Sequence, residues 1–155
     1  MRKAAGGFFL FPLSFCLLKG KPMASEQLLV LTVDDDPCVS RVVQLKLENA
    51  GYRVVKAVTA EEALQKIQEL KPDVIITDVK MPGMSGIELC RRCEHVLSHH
   101  EFMMIVLTSQ LDEESKKWVE SRPNRRYIAK PFSPRGILDT VNEYRSSRAL
   151  VCAAC

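Results

Sequence analysis

Asp78 closes an apolar run, residues 74–77, and a loop containing Met81, Pro82 and Gly83 follows almost at once. In an open α/β sheet, ligands bind at the C-terminal ends of the strands. A carboxylate delivered there can ligate a metal, act as a nucleophile, or do both. Three other apolar runs end in residues of matching chemistry: residues 28–33 lead into Asp34 and Asp35, residues 103–107 into Thr108 and Ser109, and residues 127–129 into Lys130. Three carboxylates held together repel one another and raise each other's pKa. A hard cation relieves this, and Mg²⁺ takes one or two carboxylates with waters and a phosphate oxygen completing its octahedron. Lys130 offers a compact positive charge opposite, and the Thr108 hydroxyl a donor to a bound oxyanion. The set is suited to a carboxylate attacking phosphorus, with metal and lysine neutralising charge on the transferred group.

Bringing four strand ends to one rim requires strands and helices that alternate at short spacing. Pro37 fits the first turn of a helix whose apolar stripe is Val39, Val42, Val43 and Leu47, with Gly51 ending it. Residues 52–57 form a β-branched strand. Thr59 and Glu62 make a capping box for a helix carrying Ala63, Leu64, Ile67 and Leu70, which Pro72 stops. Residues 85–96 form the next helix, and a polar helix surrounds Trp118. Ser133 caps a final helix with Pro134 at its first position and Ile137, Leu138 and Val141 facing inward. Five near-continuous apolar strands separated by helices predict an α/β fold, a doubly wound five-stranded parallel sheet with helices on both faces.

The 155 residues and 46% hydrophobic content suit one domain with a real core, and 26% charged residues are ordinary for a globular protein. A net charge of +3, without a basic helix interleaved with aromatics, gives no reason to expect nucleic acid. Arg122, Arg125 and Arg126 cluster around Pro123 and Asn124; a solvated loop is preferred over a docking patch for an acidic partner. Of six cysteines, Cys90 and Cys93 share a helical apolar stripe with Ile87, Val96 and Leu97, which favours buried thiols over zinc ligands. Cys152 and Cys155 lie in a terminal segment with no visible scaffold. No disulfide framework is implied, so a reducing compartment fits.

The chain divides into an N-terminal extension (1–25), a domain (26–147) and a short C-terminal tail (148–155). The extension starts basic and turns apolar over residues 6–18, like the first parts of a secretory signal. It is too short to span a bilayer, and Lys19 to Pro22 is no small-residue cleavage site. A leader and an upstream extension from a misassigned start both stay open; Met23 begins a chain that reads well alone.

Four blocks, Val33-Asp34-Asp35, Thr77-Asp78 through Gly86, Val106 through Ser109, and Tyr127 through Phe132, together resemble a response-regulator receiver domain over roughly residues 26–147. The resemblance implies a flavodoxin-like receiver fold and assigns roles by position. Asp78 would be the phosphoacceptor, taking a phosphoryl group from a histidine kinase or phosphotransfer protein as an acyl phosphate. Asp34 and Asp35 would hold Mg²⁺, Asp35 as the direct ligand, with Asp78 and the backbone carbonyl of Lys80 completing the protein ligands. Thr108 would turn toward the phosphoryl group, Lys130 would pair with it, and Tyr127 would move inward when Thr108 shifts. Lys80 and Gln110 occupy positions that modulate autodephosphorylation. Pro123 and Asn124 stand where the family often carries Gly-Ala.

The implied function is a stand-alone response regulator that signals through contacts with a downstream protein. It is expected to be cytoplasmic, without membrane or nucleic-acid contacts, and a phosphoacceptor rather than an enzyme beyond its own phosphoryl transfer and slow autodephosphorylation. A receiver-like interaction module that works without phosphorylation is the alternative, though retention of Asp78 and Lys130 speaks against it. A phosphohydrolase of the dehalogenase type would need an acid two residues beyond its nucleophile, where Lys80 stands.

Overall fold

Runs of Val, Ile, Leu and Met long enough for a strand but too short for a helix must be covered on both faces, which is how parallel sheets are built. The computed structural model, which describes residues 27–109 and 112–153, realises this pattern as β1 (Leu29–Val33), α1 (Pro37–Asn49), β2 (Arg53–Ala57), α2 (Ala60–Leu70), β3 (Val74–Asp78), α3 (Gly86–Val96), β4 (Met103–Thr108), α4 (Glu113–Glu120), β5 (Arg125–Ala129) and α5 (Pro134–Ala153). The five strands are parallel in the order β2-β1-β3-β4-β5. The order reverses between β1 and β3, and at that point a doubly wound sheet opens a crevice at its C-terminal edge.

Alternation along the strands splits the core into two layers. Leu31, Val33, Ile75, Met104 and Val106 pack against α2, α3 and α4 together with Ala63, Ile67, Leu89 and Val119. Val30, Val74, Ile76, Ile105 and Leu107 pack against α1 and α5 with Val43, Leu47, Ile137 and Val141. Each fully buried Leu or Ile stabilises the fold by roughly 1.5–3 kcal/mol, so the strands are over-determined and the loops at their ends are free to carry polar groups. No helix among the described residues is long and apolar enough to cross a membrane.

Several local expectations need correction. Val42 is 50% exposed, because Val39, Val43 and Leu47 define the inward stripe of α1 and buried Ser40 completes it. Val96 is likewise on the outer face of α3, whereas Cys90 and Cys93 are fully buried free thiols. Burial pushes both thiols up, Cys93 to about 12 and Cys90 well above its ordinary value, so neither is a thiolate at neutral pH. Arg125 sits at the start of β5 and is only 4% exposed, not in a solvated loop.

The last helix also continues past residue 147, where the sequence suggests a tail begins. Arg148 of α5 ion-pairs with Asp73, whose other carboxylate oxygen accepts from the backbone N–H of Leu29 at 2.9 Å, and whose carbonyl accepts from Met103. One aspartate thus ties the starts of β1, β3 and β4 to α5. The N-terminal extension, Gln110 and Cys155 lie outside the described residues, and the side chain of Cys152 is likewise undescribed. Arg148→Ala is expected to cost about 1–3 kcal/mol, the range for a hydrogen bond to a charged group. Urea unfolding should report this as a lower midpoint at an unchanged denaturant slope.

Candidate functional site

The parallel pairing of β1 with β3 matches Val33 with Thr77, so the residues that follow, Asp34 and Asp78, leave the sheet side by side at the switch point. The three consecutive acids after β1 have distinct positions. Asp36 caps α1, its Oδ1 accepting from the N–H groups of Cys38 at 2.8 Å and Val39 at 3.4 Å. The N–H of Asp36 in turn donates to Asp34 Oδ1 at 2.8 Å and holds that carboxylate inward, 5% exposed. Asp35 stays exposed at the rim.

From the other side, β5 delivers Lys130. Its backbone N–H donates to the carbonyl of Thr108 at 2.7 Å, which fixes the lysine one residue beyond the Thr108–Ala129 pair. Its Nζ lies 2.7 Å from Asp78 Oδ2 and 3.9 Å from Asp34 Oδ2. Asp78 Oδ1 accepts from the backbone N–H of Lys80 at 3.2 Å. Asp78 is therefore held at both oxygens, while Asp34 Oδ2 is buried with no hydrogen-bond partner. Burial is the largest cause raising the Asp34 pKa, and the charges of Asp78 and Asp35 add to it; the Asp36 N–H and Lys130 pull it back only in part.

One carboxylate oxygen from each of Asp34, Asp35 and Asp78 falls within 4.8 Å of the other two. Among the described residues the three acids face one lysine, and one buried oxygen lacks a donor. A hard divalent cation fits that donor set: it would satisfy the unpaired oxygen and offset the excess negative charge.

Two residues that the sequence pattern places in the matching block without a role, Thr77 and Gly86, shape the site. The hydroxyl of Thr77 donates to the carbonyl of Asp78 at 3.0 Å. Gly86, the first residue of α3, lies so close that a Cβ there would stand 2.0 Å from that carbonyl oxygen. The Gly86 N–H donates to Val79 O at 3.1 Å, closing the loop back on the strand end. A glycine directly after the N-cap Ser85 was the available signal, but its cause is a contact between β3 and α3 that only packing reveals. Thr108 is buried at the end of β4; Tyr127 lies on the edge strand, 39% exposed, paired in register with Val106. The side chain of Lys80 is exposed.

Residues 30–142 match the response regulator receiver domain. The chain belongs to that family. As a receiver domain it is 36% identical over 108 residues to the alkaline phosphatase synthesis transcriptional regulatory protein PhoP of Bacillus subtilis, covering 70% of this chain and 44% of that protein. It is 29% identical to protein PilH of Pseudomonas aeruginosa, covering 73% of this chain and 93% of PilH. The chain thus spans less than half the length of PhoP and nearly all of PilH. Among solved structures, chemotaxis protein CheY4 of Vibrio cholerae is similar at a TM-score of 0.68 and 32% identity, covering 76% of this chain and 98% of that one. A CheY-like receiver domain protein from Methanospirillum hungatei gives a TM-score of 0.72 at 28% identity, covering 79% and 97%. The fold of this receiver domain is the flavodoxin-like one.

Two outcomes follow from this geometry. A group whose folded-state pKa is raised contributes most to stability below the unfolded value, 3.8 for Asp34, and that contribution is lost as pH rises through the folded-state value. Asp34→Asn should therefore stabilise the metal-free protein at neutral pH, by on the order of 1–3 kcal/mol. It should also flatten the loss of stability above pH 3.8 and weaken the gain in melting temperature on adding Mg²⁺. Thermal unfolding across pH, with and without Mg²⁺, checks all three. Gly86→Ala should cost about 1–3 kcal/mol or more, because backbone must move to admit the methyl group; chemical unfolding measures it.

Proposed function

We propose that this receiver domain accepts a phosphoryl group on Asp78 from a phosphohistidine of a kinase or phosphotransfer protein. The observation that carries the reading is the pairing of Asp78 with Lys130 at 2.7 Å beside two further carboxylates at the sheet's switch point. A carboxylate oxygen of Asp78 attacks phosphorus, the P–N bond to the donor histidine breaks, and the imidazole leaves with the electron pair and takes a proton. Asp34, Asp35, Asp78 and the carbonyl of Lys80 would hold Mg²⁺, which supplies charge neutralisation on the phosphoryl oxygens and brings the repelling acids into register. Lys130 exchanges its Asp78 partner for a phosphoryl oxygen, so its charge follows the developing negative charge without leaving the site. The Thr108 hydroxyl donates to the same group, and Tyr127 moves inward from its exposed position, remodelling the face of α4, β5 and α5.

The signal would leave the receiver domain through a surface that a downstream partner binds, whether that partner lies on another chain or not. A phosphohistidine donor charged from ATP would fit a cytoplasmic location. Lys80 stands where a hydrolase would carry a second acid, so the phosphoryl group is retained as a signal, with slow autodephosphorylation.

Incubation with a small-molecule phosphodonor and Mg²⁺ is expected to add the mass of one phosphoryl group to the intact protein. Asp78→Asn should abolish the gain, and Lys130→Ala should slow it by roughly 10²–10³-fold, as for loss of one charge-stabilising donor. A gain that survives Asp78→Asn sinks the assignment.

A further inference from the structure

The α4 helix is eight residues long and buries only Val119 completely. Apolar packing alone is a thin hold on it, and the polar contacts at its two ends are unequal. At the C-terminal end the buried guanidinium of Arg125 reaches from β5 to two other elements at once. Its Nε, at 2.9 Å, and its Nη2 donate to Glu94 Oε1 on α3. Its Nη1 donates to the carbonyl of Trp118 at 2.5 Å and to Ser121 Oγ at 3.0 Å, covering acceptors at the end of α4. Its flat face lies 3.8 Å from the centre of the Trp118 ring. The side chain of Arg125 is 3% exposed and that of Glu94 26%, so water competes little for these bonds.

The N-terminal turn of α4 is held differently. Among the described residues, its ion pair to another element is that of Glu114 with Arg91 of α3, 3.7 Å apart with side chains 86% and 46% exposed. Exposed pairs of this kind contribute little. Asp112 caps the helix, but only by bonds within the same turn, to Ser115 N and Oγ. This loosely held end is also the end nearest Thr108 along the chain.

We propose that Arg125 is a latch that pins the C-terminal end of α4 to α3, so that α4 swings open only at its N-terminal turn, pivoting at Trp118. The swing breaks the Arg91–Glu114 pair and leaves the Arg125–Glu94 pair intact. Within α4 the part of the output surface that changes is then residues 112–116, and the rest of the helix is a fixed platform. This rests on the phosphoacceptor reading for what sets the helix in motion, though the latch itself does not depend on it.

Amide hydrogen exchange on the full chain tests it in two arms. Without phosphodonor, the double substitution Arg125→Met with Glu94→Leu removes the latch and leaves no buried charge unpaired. It is expected to speed exchange at residues 118–121 by about tenfold or more, while amides of β3 and β4 keep their protection. Unchanged exchange at 118–121 overturns the latch. Should the β3 and β4 amides also open, Glu94→Gln, which keeps the bonds from Arg125 to α4, is expected to give a smaller rise at the same residues; no rise there also overturns it. With beryllofluoride and Mg²⁺, the wild-type chain should change exchange at residues 112–116 and not at 118–121, and the double variant at both. An equal change at both ends of wild-type α4 overturns the pivot. No change anywhere in the wild-type chain counts against the phosphoacceptor reading, and the donor-free arm still decides the latch.

Discussion

Excess negative charge at the switch point is the constraint on which the rest of the structure depends. Asp34 and Asp78 leave adjacent parallel strands side by side, Asp35 joins them at the rim, and Lys130 is the cation that the fold brings to meet them. The lysine is committed to Asp78, since 2.7 Å is a full charge-assisted hydrogen bond and 3.9 Å to Asp34 is not. Asp34 is left with a buried oxygen and no donor. A large apolar core on both faces of the sheet tolerates this unfavourable group, because the strands that carry it are held by side chains remote from the rim.

The local geometry keeps the acids from relaxing apart. Asp36 spends its own carboxylate on the α1 N-terminus and its N–H on Asp34, so the loop cannot turn Asp34 out to solvent without uncapping the helix. On the other strand, the Thr77 hydroxyl and the bare Cα of Gly86 close around the Asp78 carbonyl. Both carboxylates are thus preorganised by backbone contacts, and backbone contacts survive changes at the site that move only side chains.

Charge is handled in the opposite way at the far end of β5. Arg125 is buried with its partners already in place: a carboxylate, a helix-end carbonyl, a hydroxyl and an aromatic face. The same sheet therefore carries an under-neutralised rim open to solvent and a satisfied ion pair at its base, with α4 running between them.

Sequence alone determined the strand-end chemistry, since it rests on short-range pattern: apolar runs of strand length, each with its polar residue at the C-terminal end, and capping residues where helices begin. Asp34, Asp35, Asp78, Thr108 and Lys130 could be singled out because alternating strands and helices in a parallel sheet leave their polar ends on one edge. The order of the strands was not in that alternation, which suits more than one doubly wound order; the structure gives it as β2-β1-β3-β4-β5. Tertiary structure decided what depends on contacts between distant segments. The inward stripe of α1 follows from where α5 packs, and so Val42 is exposed despite being apolar. Arg125 is buried because Glu94 and Trp118 arrive from two other elements; its basic neighbours in sequence carry no trace of that. Which carboxylate lacks a donor, and why position 86 has no side chain, are settled by a few ångströms between chain segments, a distance that residue order does not encode.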